Sequence, residues 1–464
     1  NSLRFDDGGS EYLERTPSST GNRKTWTFST WIKRSGIGLS APMNVFGGED
    51  GASRYTDIMI GTPSGADDTF WFKQDTGTVA ELRSTLKLRD PSAWYHLLFV
   101  YDSTNGTADD RMKMYVNGVQ LTSFVTRTNV GSNVDSYVNT SGDDNYVGVY
   151  DGSSKWLDGY LCETALIDGT ALTPTSFGEF DEDSGIWKPK DFKNDVTFGT
   201  NGFYLEFKET GTSQNSSGIG ADTSGNNHHF AVNNLTAIDQ MTDTPTLNYA
   251  VMNNLDNYYA GSTFSEGNLK IVTVASGSAY MVGTIGISSG KWYWEVKAVS
   301  FTTGADYCAI GVSSTQITGT SQLGANSNDY GFGNTGTQNS GGSSSSYGSS
   351  YGNNDIIGVY LDLDNNKLYF SINGTLQNSG TGISITAAAS TSLGAYFPAI
   401  SDWSSSGSNL VTAEFNFGGG CPFSITSGNT DGEYGNFEYS TTITGDGSSK
   451  TFKALNTKNL AEYG

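Results

Sequence analysis

The stretch that decides the fold class is residues 357–374, IGVYLDLDNNKLYFSING. Every second residue is apolar from 357 to 363 and again from 368 to 372, which is the period of a strand with one buried face. Asp364-Asn365-Asn366 separates the two runs, and Asn373-Gly374 follows the second. Because Asn and Gly tolerate the positive φ angles of tight turns, the stretch predicts strand, turn, strand and turn.

The same arrangement occurs in the first half of the chain. In residues 112–116 the two Met and the last Val share one face of a predicted strand, and Asn117-Gly118 follows. Residues 26–33 and 94–101 also predict strands, and the apolar spacing typical of helices is nearly absent. We therefore expect an all-β protein with two antiparallel β-sandwich domains of similar architecture.

The composition fits many short strands joined by turns. The chain has 464 residues, with 59 Gly and only 9 Pro. Charged residues make up 16%, below the roughly 25% of typical soluble domains, so much of the polarity comes from hydroxyl and amide groups. Such a surface, with many Tyr and Trp, suits contact with carbohydrate or protein, although Ser, Thr and Asn also populate loops that bind nothing.

The formal net charge of −22 limits the possible partners. An acidic surface repels a phosphate backbone, so we expect no nucleic-acid binding, and anionic membranes are disfavoured for the same reason. No apolar run is long enough to predict membrane insertion. Cys162, Cys308 and Cys421 are too widely spaced for a disulfide framework, which fits assembly in a reducing cytoplasm. Since Asn1 stands where a Met would start translation, we expect a processed start.

Changes in composition divide the chain into four parts. These are residues 1–177 (first sandwich), 178–242 (a partly irregular connector with one or two strands), 243–425 (second sandwich) and 426–464 (an insertion over 426–450 and a C-terminal segment). Within the second sandwich, residues 339–354 are rich in Gly and Ser, which predicts a long exposed loop.

Several motifs of the second half follow one another in a characteristic order. They are Gly290-Lys291-Trp292-Tyr293-Trp294-Glu295-Val296, Ala309-Ile310-Gly311-Val312, Tyr330-Gly331-Phe332, the strand pair described above, Tyr396-Phe397-Pro398-Ala399-Ile400 and Phe415-Asn416-Phe417-Gly418. In order and spacing, over about residues 243–423, they resemble the SPRY domain, a bent β-sandwich used for protein recognition. The resemblance implies that Trp292, Trp294 and Val296 face the core, and that loops form the partner surface.

The first half has motifs of another kind. They include Trp26-Thr27-Phe28-Ser29, Trp94-Tyr95-His96, Tyr115-Val116-Asn117-Gly118 and Leu157-Asp158-Gly159-Tyr160. These are similar to laminin G-like or concanavalin A-like modules, which implies a jelly-roll sandwich.

Two short segments resemble parts of structural proteins of tailed bacteriophages. One is Thr242-Asp243-Thr244-Pro245-Thr246, directly before the SPRY-like core, and the other is residues 452–460, FKALNTKNL. This resemblance implies a virion protein that is assembled in the host cytoplasm and later becomes extracellular.

Catalysis has to be considered because concanavalin-like sandwiches include glycosidases, which need two carboxyl groups at a fixed separation. The Glu-x-Asp-x-x-Glu pattern of laminarinase-like enzymes is absent, and the nearest run, residues 179–183, has the wrong spacing. No Ser/His/Asp or Cys/His signature occurs, and His96 lies in an apolar strand, where a core histidine is expected. We therefore expect no enzymatic activity and no organic cofactor.

Calcium is the one cofactor that the resemblance allows. Laminin G-like modules sometimes bind it through loop carboxylates, and Asp143, Asp144 and Asp151 are the candidates here. Residues 362–366 lack the Gly and Glu of a calcium-binding EF-hand loop, so they predict a β-turn.

Sandwich domains carry function on the loops at their ends. The candidate binding residues, aromatic or acidic residues of such loops, are Trp403, Asp402, Tyr347, Tyr351, Asp329 and Asp306 in the second half and Trp156 and Tyr150 in the first. A Trp in a polar loop either packs against the base of that loop or binds something, and both readings stay open for Trp403. For residues 339–354, ordering a long polar loop costs backbone entropy that a bound partner would offset, and a tolerated surface insertion is the alternative.

These observations predict a bacteriophage virion surface protein, a tail-fibre protein or receptor-binding adhesin that recognises a host surface glycan or protein. The alternatives are a head-decorating or capsid-fibre protein and, from another class, a glycan depolymerase. We expect other virion proteins as partners and a homo-oligomer. We also expect the second sandwich to contact the receptor, while the first has a mainly structural role.

Overall fold

The computed structural model describes residues 1–50, 54–62, 65–258, 261–273, 277–301, 307–316, 322–404 and 411–464. They divide into two compact units, unit 1 (Asn1–Thr246) and unit 2 (Leu247–Gly464). Both consist mainly of antiparallel strands, which confirms the expected all-β fold.

Unit 1 contains the first half of the strands. In its described residues they are β1 (Ser2–Phe5), β2 (Tyr12–Arg15), β3 (Thr25–Arg34), β4 (Met43–Glu49), β5 (Tyr55–Thr62), β6 (Gly65–Asp75), β7 (Val79–Lys87), β8 (Trp94–Asp102), β9 (Met112–Val116), β10 (Val119–Gln120), β11 (Phe124–Thr128), β12 (Asp144–Val147), β13 (Gly159–Asp168), β14 (Gly178–Phe180), β15 (Trp187–Pro189), β16 (Phe203–Leu205), β17 (Ala231–Asn233) and β18 (Gln240–Met241). Short 3-10 helices lie at Asp7–Gly9, Ala108–Asp110, Pro174–Ser176 and Ala237–Asp239.

Unit 1 is a sandwich of two large sheets. One sheet has the order β10-β9-β8-β3-β13-β1-β18, with β16 also paired to β13, and the other has the order β11-β7-β6-β5-β4-β12-β2-β17. Between the sheets, the ring of Phe28 stacks on that of Phe46 at 4.4 Å, and Trp26 meets Phe72 edge-on at 5.5 Å. Since successive strand residues point to opposite faces, the alternate positions point away from this core.

Residues 178–242, expected to form a connector, belong instead to unit 1. β16, β17 and β18 pair with β13, β2 and β1, so this segment extends both sheets. On the outer face of β8 and β13, Val100 and Ile167 form a second apolar cluster with Phe192 and Tyr204. The physical reason is that an apolar outer sheet face is covered by the scattered aromatic residues of a segment that looks irregular in sequence.

Unit 2 contains the second half of the strands. In its described residues they are β19 (Met252–Tyr258), β20 (Thr263–Ser265), β21 (Lys270–Val272), β22 (Gly277–Gly283), β23 (Lys291–Ser300), β24 (Tyr307–Ser313), β25 (Asp329–Gly333), β26 (Thr337–Ser340), β27 (Ser343–Ser346), β28 (Ile356–Asp362), β29 (Lys367–Ile372), β30 (Thr375–Leu376), β31 (Ile383–Ser384), β32 (Phe397–Ser404), β33 (Thr412–Asn416), β34 (Thr442–Gly445), β35 (Ser448–Thr451) and β36 (Lys453–Ala454). Two 3-10 helices lie at Asn378–Gly380 and Ala388–Ser390, and the α-helix α1 spans Thr457–Tyr463.

Unit 2 is also a sandwich of two large sheets. One has the order β19-β22-β32-β24-β25-β26-β27, and the other has the order β20-β21-β33-β23-β28-β29-β30, with β31 paired to β29 and β36 to β23. Phe332 of the first sheet lies 5.1 Å from Phe370 of the second, between ring centroids. Trp292, Trp294 and Val296 of β23 are fully buried, as the SPRY resemblance implies.

Both Asn-Gly turns are present. Asn117 (φ 48°) and Gly118 (φ 80°) join β9 to β10, and Asn373 (φ 48°) and Gly374 (φ 76°) join β29 to β30. Positive φ at both central residues is the turn geometry that suits the twist of a hairpin. The local hairpin predictions are therefore confirmed.

The last part of the chain covers one outer sheet face of unit 2. Tyr293, Tyr360 and Tyr369 form a buried cluster there with Phe437 and Phe452. β36 adds to the same sheet by pairing in parallel with β23. Residues 426–464, expected to be a separate insertion and tail, are therefore an integral layer of unit 2.

A buried acid holds this layer in place. The carboxylate of Glu295 accepts hydrogen bonds from the Tyr293 hydroxyl (3.0 Å), the Asn416 side chain (3.0 Å) and the backbone amides of Glu438 (3.1 Å) and Tyr439 (2.8 Å). Burial raises the pKa of Glu295, and these four donors act in the opposite direction. Glu295 of β23 is thus one anchor of the insertion, beside the ion pairs Lys367–Asp446 and Lys450–Asp362.

Candidate functional site

A group of acids and tyrosines lies on the outer face of the second sheet of unit 1. The strand register places Glu49 of β4 opposite Tyr55 of β5, and it places Gly47 of β4 opposite Asp57 of β5. Residues opposite each other share a face, so these side chains point the same way. On the opposite face, Phe46 of β4 and Ile58 and Ile60 of β5 belong to the core.

Asp57 is buried because the residue opposite it has no side chain. A Cβ atom on Gly47 would lie 2.0 Å from Oδ1 of Asp57, so the carboxyl group fills the space above the glycine. Asp57 is 2% exposed, and its Oδ2 has no hydrogen-bond partner among the described residues. An unsatisfied buried acceptor costs free energy, so the fold maintains this group at a cost in stability.

The loop between β12 and β13 forms the wall of this site. Asn44 of β4 ties the loop down, because its amide donates to the Lys155 carbonyl (2.8 Å) and its side chain donates to the Val149 carbonyl (2.7 Å). The ring of Tyr150 then meets the ring of Tyr55 edge-on at 5.6 Å. We call Glu49, Tyr55, Asp57, Tyr150, Asp151 and Lys155 the Asp57 site.

Two lysines lie beside the carboxyl groups without pairing directly with them. The Nζ atom of Lys155 is 3.4 Å from the centroid of the Tyr150 ring, and that of Lys73 is 5.3 Å from the centroid of the Tyr55 ring. Within the described residues, neither ammonium group forms an ion pair with a carboxylate. The lysines therefore act on the acids only at a distance.

Asp57 and Glu49 hold protons more tightly than free carboxyl groups do. Burial, and then the charge of Glu49, raises the pKa of Asp57 well above its ordinary value. Burial and the neighbouring Asp151 raise the pKa of Glu49 to about 7, although the Asp151 amide acts in the opposite direction. Near neutral pH the site can therefore both donate and accept a proton.

A further pair of tyrosines continues the same sheet face. Tyr146 of β12 lies opposite Gly47, and its ring is 6.2 Å from that of Tyr12. Its hydroxyl donates to Asp144 at 3.3 Å. The face thus offers aromatic surface on both sides of Gly47, which suits an extended ligand.

The first-unit residues predicted from sequence fall in and around this site. Tyr150 and Asp151 belong to it, whereas Trp156 is half-buried after the same loop. Asp151 accepts hydrogen bonds from the backbone and hydroxyl of Ser153, which fixes the loop.

The calcium prediction finds no support. Calcium binding stays a prediction, but no three Asp, Glu, His or Cys side chains of the described residues are placed to share a metal ion, so Asp143, Asp144 and Asp151 do not form one cluster of ligands. The physical reason is that Asp144 is engaged by Thr16 and Tyr146, and Asp151 by its own loop.

In unit 2, four of the predicted binding residues are buried. Asp402 accepts from Thr273 (2.7 Å), and Asp329 accepts from Ser313 (2.9 Å) and Asn326 (2.7 Å). Both acids therefore have structural roles inside the fold and do not form the expected loop surface.

Residues 339–354, expected to form a long exposed loop, are exposed over 341–346 but form a β-hairpin and not an irregular loop. β26 and β27 form a hairpin there, so hydrogen bonds between the strands order most of the serines. Tyr347 and Tyr351 are each 4% exposed, and both rings pack against Phe332. They anchor the hairpin and are removed from the candidate surface.

Trp403 is the predicted residue of unit 2 that does reach the surface. It lies in β32, opposite Ser278 of β22, and is 40% exposed. Asp306 lies outside the described residues. Trp403 therefore stays a candidate contact, now without the tyrosines expected to surround it.

His96 is a core residue, as expected. Its Nδ1 accepts from the Trp187 indole (3.1 Å), its Nε2 pairs with the Ser29 hydroxyl (2.9 Å), and burial lowers its pKa to about 3. The ring is therefore neutral and has no contact with solvent.

Sequence reasoning missed Glu49 and Asp57. The available signal was the alternation of Tyr55, Asp57 and Met59 on one face of a strand, together with Gly47 at an outward position of its neighbour.

Crossing a membrane would take a longer and more apolar helix than any in the described ranges.

Comparisons with known proteins bear on each unit separately. Residues 7–176 match the model of the concanavalin A-like lectin/glucanases superfamily, and residues 291–418 match that of the SPRY domain. The chain is 31% identical over 135 residues to a probable ATP-dependent RNA helicase ddx1 of Dictyostelium discoideum, and 34% identical over 91 residues to the helicase DDX1 of Xenopus laevis. These matches cover 29% and 20% of this chain but only 15% and 12% of the helicases.

Solved structures that are similar to parts of this chain include a SPRY domain and a pentraxin. The SPRY domain of human HERC1 is 16% identical, with a TM-score of 0.29, and the match covers 35% of this chain and 96% of that one. A heptameric SAP-like pentraxin from Limulus polyphemus is 18% identical, with a TM-score of 0.28, covering 37% and 77%. From the motifs, the sheets and the two family models together, the chain consists of a laminin G/concanavalin A-like domain followed by a SPRY domain.

Proposed function

We propose that the chain is a bacteriophage virion surface protein, a tail-fibre protein or receptor-binding adhesin, and that its Asp57 site binds a glycan of the host surface. The observation that carries the binding part is the buried Asp57 carboxyl group, whose Oδ2 has no hydrogen-bond partner among the described residues, beside the half-buried Tyr55 and Tyr150. Sugar hydroxyl groups satisfy such oxygens, and the apolar faces of sugar rings pack on aromatic side chains.

The virion part of the proposal rests on the phage-like segments. In the first of them, Asp243 is buried and accepts from Lys33 (2.8 Å) and from the Trp94 indole (2.9 Å). In the second, Phe452 and Ala454 belong to the tyrosine cluster of unit 2. Both segments are structural parts of their units, which supports their value as marks of a common architecture.

Two measurements test the proposal. Mass spectrometry of purified virions should detect the chain, and its absence from particles would remove the virion part. The purified chain should compete with phage for host cells, and Asp57→Asn should weaken that competition. Asp110→Asn, which changes a half-buried acid in the 3-10 helix between β8 and β9 of the other sheet of unit 1, is the matched control and should compete like the wild type.

A glycan depolymerase is the second candidate, and one observation favours it. Glu49, with its pKa raised to about 7, lies diagonally across from Asp57, and a general acid near neutral pH is what glycoside hydrolysis requires. Incubation with host polysaccharide should then release reducing ends, and Glu49→Gln should abolish the release. If the polysaccharide stays intact after incubation with the wild type, the depolymerase activity is excluded and the binding function is the one that remains.

A different location on the virion and a receptor contact through unit 2 are also proposed as alternatives. A head-decorating or capsid-fibre role differs only in location, which electron microscopy of labelled particles would decide. The receptor could also contact unit 2, where Trp403 is the exposed candidate, and Trp403→Ala measures that contribution by itself.

A further inference from the structure

The charges around Asp57 are unbalanced. Glu49 and Asp151 add to the negative charge at Asp57, while Lys155 and Lys73 oppose it. Asp144 adds a further negative charge beside Glu49. Each lysine lies on a tyrosine face and forms no ion pair within the described part of the chain. The carboxyl groups thus lack a cation at contact distance.

Geometry explains why the chain does not supply that cation itself. Lys155 belongs to the loop that Asn44 ties to β4, and its ammonium group is held over Tyr150. Lys73 lies opposite Asp57 on β6, but its ammonium group lies over Tyr55. The two tyrosine rings therefore hold both ammonium groups at the wall of the site, and no described residue donates a hydrogen bond to Oδ2 of Asp57.

A buried carboxyl group in this position needs positive charge. An isolated ionised carboxylate is so costly to bury that it takes up a proton instead, which is the direction of the pKa values of Asp57 and Glu49. A bound proton is the smallest cation that neutralises the carboxylate. A ligand cation at contact distance would meet it better, because both carboxyl groups could then ionise and accept charged hydrogen bonds.

We infer that the Asp57 site takes a sugar with a free amino group, whose ammonium lies between the carboxyl groups of Asp57 and Glu49. This inference rests on the proposed glycan-binding function and names its ligand class. The lysines of the chain show that the tyrosine walls accept ammonium groups, as cation–π contacts allow. A sugar carboxylate or phosphate would meet like charge from Glu49, Asp144 and Asp151, and a neutral sugar would leave the charge unbalanced.

Calorimetric titration of the full chain with chitosan oligosaccharides, which carry free amino groups, tests this at mildly acidic pH, where those amino groups are protonated before they bind. The matched ligands are the same oligosaccharides fully N-acetylated and the corresponding cello-oligosaccharides. We expect the N-acetylated and neutral ligands to bind at least about tenfold more weakly, the factor that about 1.4 kcal/mol represents. Titration in two buffers of different ionisation enthalpy should show protons leaving the complex as the ammonium replaces them.

Variants decide whether the two acids are responsible. Asp57→Asn and Glu49→Gln should each remove the preference for the amino sugar and the proton release, whereas Asp110→Asn should keep both. Glu49 is only half-buried, so its variant tests the inference even if Asp57→Asn folds poorly.

The possible failures are distinguishable. If all three ligands bind alike and Asp57→Asn weakens them equally, the site binds glycans but the amino-sugar inference is wrong. If the amino sugar binds equally well to Asp57→Asn, the ammonium lies elsewhere and the inference is wrong. If no ligand binds and Asp57→Asn competes for host cells like the wild type, the proposed function itself is wrong.

Discussion

The raised pKa of Glu49 predicts that unit 1 loses stability as the pH rises. A folded-state pKa of about 7, against 4.5 for the free group, means that the folded chain keeps a proton that the unfolded chain releases. The stabilisation from that proton is complete below pH 4.5 and is lost as the pH rises through about 7. At about 1.4 kcal/mol for each tenfold change in proton affinity, the difference corresponds to about 3 kcal/mol.

Because Glu49 is only half-buried, solvent screening lowers the expected effect to about 1–2 kcal/mol. Glu49→Gln mimics the protonated acid, so it should match the wild type at pH 5 and exceed its stability at pH 8. For a unit of this size, about 1 kcal/mol shifts the melting temperature by about 2–4 °C. Thermal unfolding of the full chain at both pH values measures this, and the transition that the variant shifts belongs to unit 1.

Asp110→Asn serves as the control and should show no such difference between pH 5 and pH 8. The reasoning is refuted if Glu49→Gln changes stability equally at both pH values, since the effect would then come from packing and not from protonation. It is also refuted if the variant is less stable than the wild type at pH 8, because the ionised form would then be the favoured one.

Other predictions follow from buried groups of both units. Asp243→Asn should destabilise unit 1 by about 3–5 kcal/mol in urea unfolding, because the fully buried Lys33 loses its carboxylate. Glu295→Ala should expose residues 426–450 to limited proteolysis, because four donors lose their acceptor. Tyr347→Ala should cost about 3–5 kcal/mol in unit 2, as expected for loss of a large buried aromatic ring. Trp403→Ala should change thermal stability by less than about 0.5 kcal/mol, the usual range for a surface substitution, and reduce host adsorption if unit 2 contributes to binding.

The fold class could be predicted because its determinants are local. Alternating apolar residues define a strand within eight residues, and Asn117-Gly118 and Asn373-Gly374 define hairpins by the φ angles they tolerate. The burial of the tryptophans of β23 was implied by the resemblance of the second half to the SPRY domain, to which the motif of this single strand contributes. None of these features depends on which distant strand becomes the neighbour.

Which residues belong to which unit could not be predicted from local sequence in the same way. Residues 203–205 join unit 1 by pairing with β13, and residues 453–454 join unit 2 by pairing with β23, in both cases across large separations in sequence. Tyr347 illustrates the same limit for packing. Its neighbours are Ser and Gly, so the local composition predicts exposure, whereas Phe332 and Phe370 supply its apolar surroundings from other strands.

The Asp57 site shows why a binding site on a sheet escapes sequence patterns altogether. Within β5, Asp57 occupies an outward position between Tyr55 and Met59, where an acid is ordinary and solvent-exposed. Its burial arises from three separate segments: Gly47 on the next strand leaves space above itself, β12 supplies the flanking face, and the loop that carries Tyr150 forms the wall. None of these segments has an unusual sequence by itself. Only the register between the strands brings them together, so that an acid with an unsatisfied oxygen lies beside aromatic rings. An outward Gly opposite an outward Asp is therefore the feature to look for once strand pairing is known.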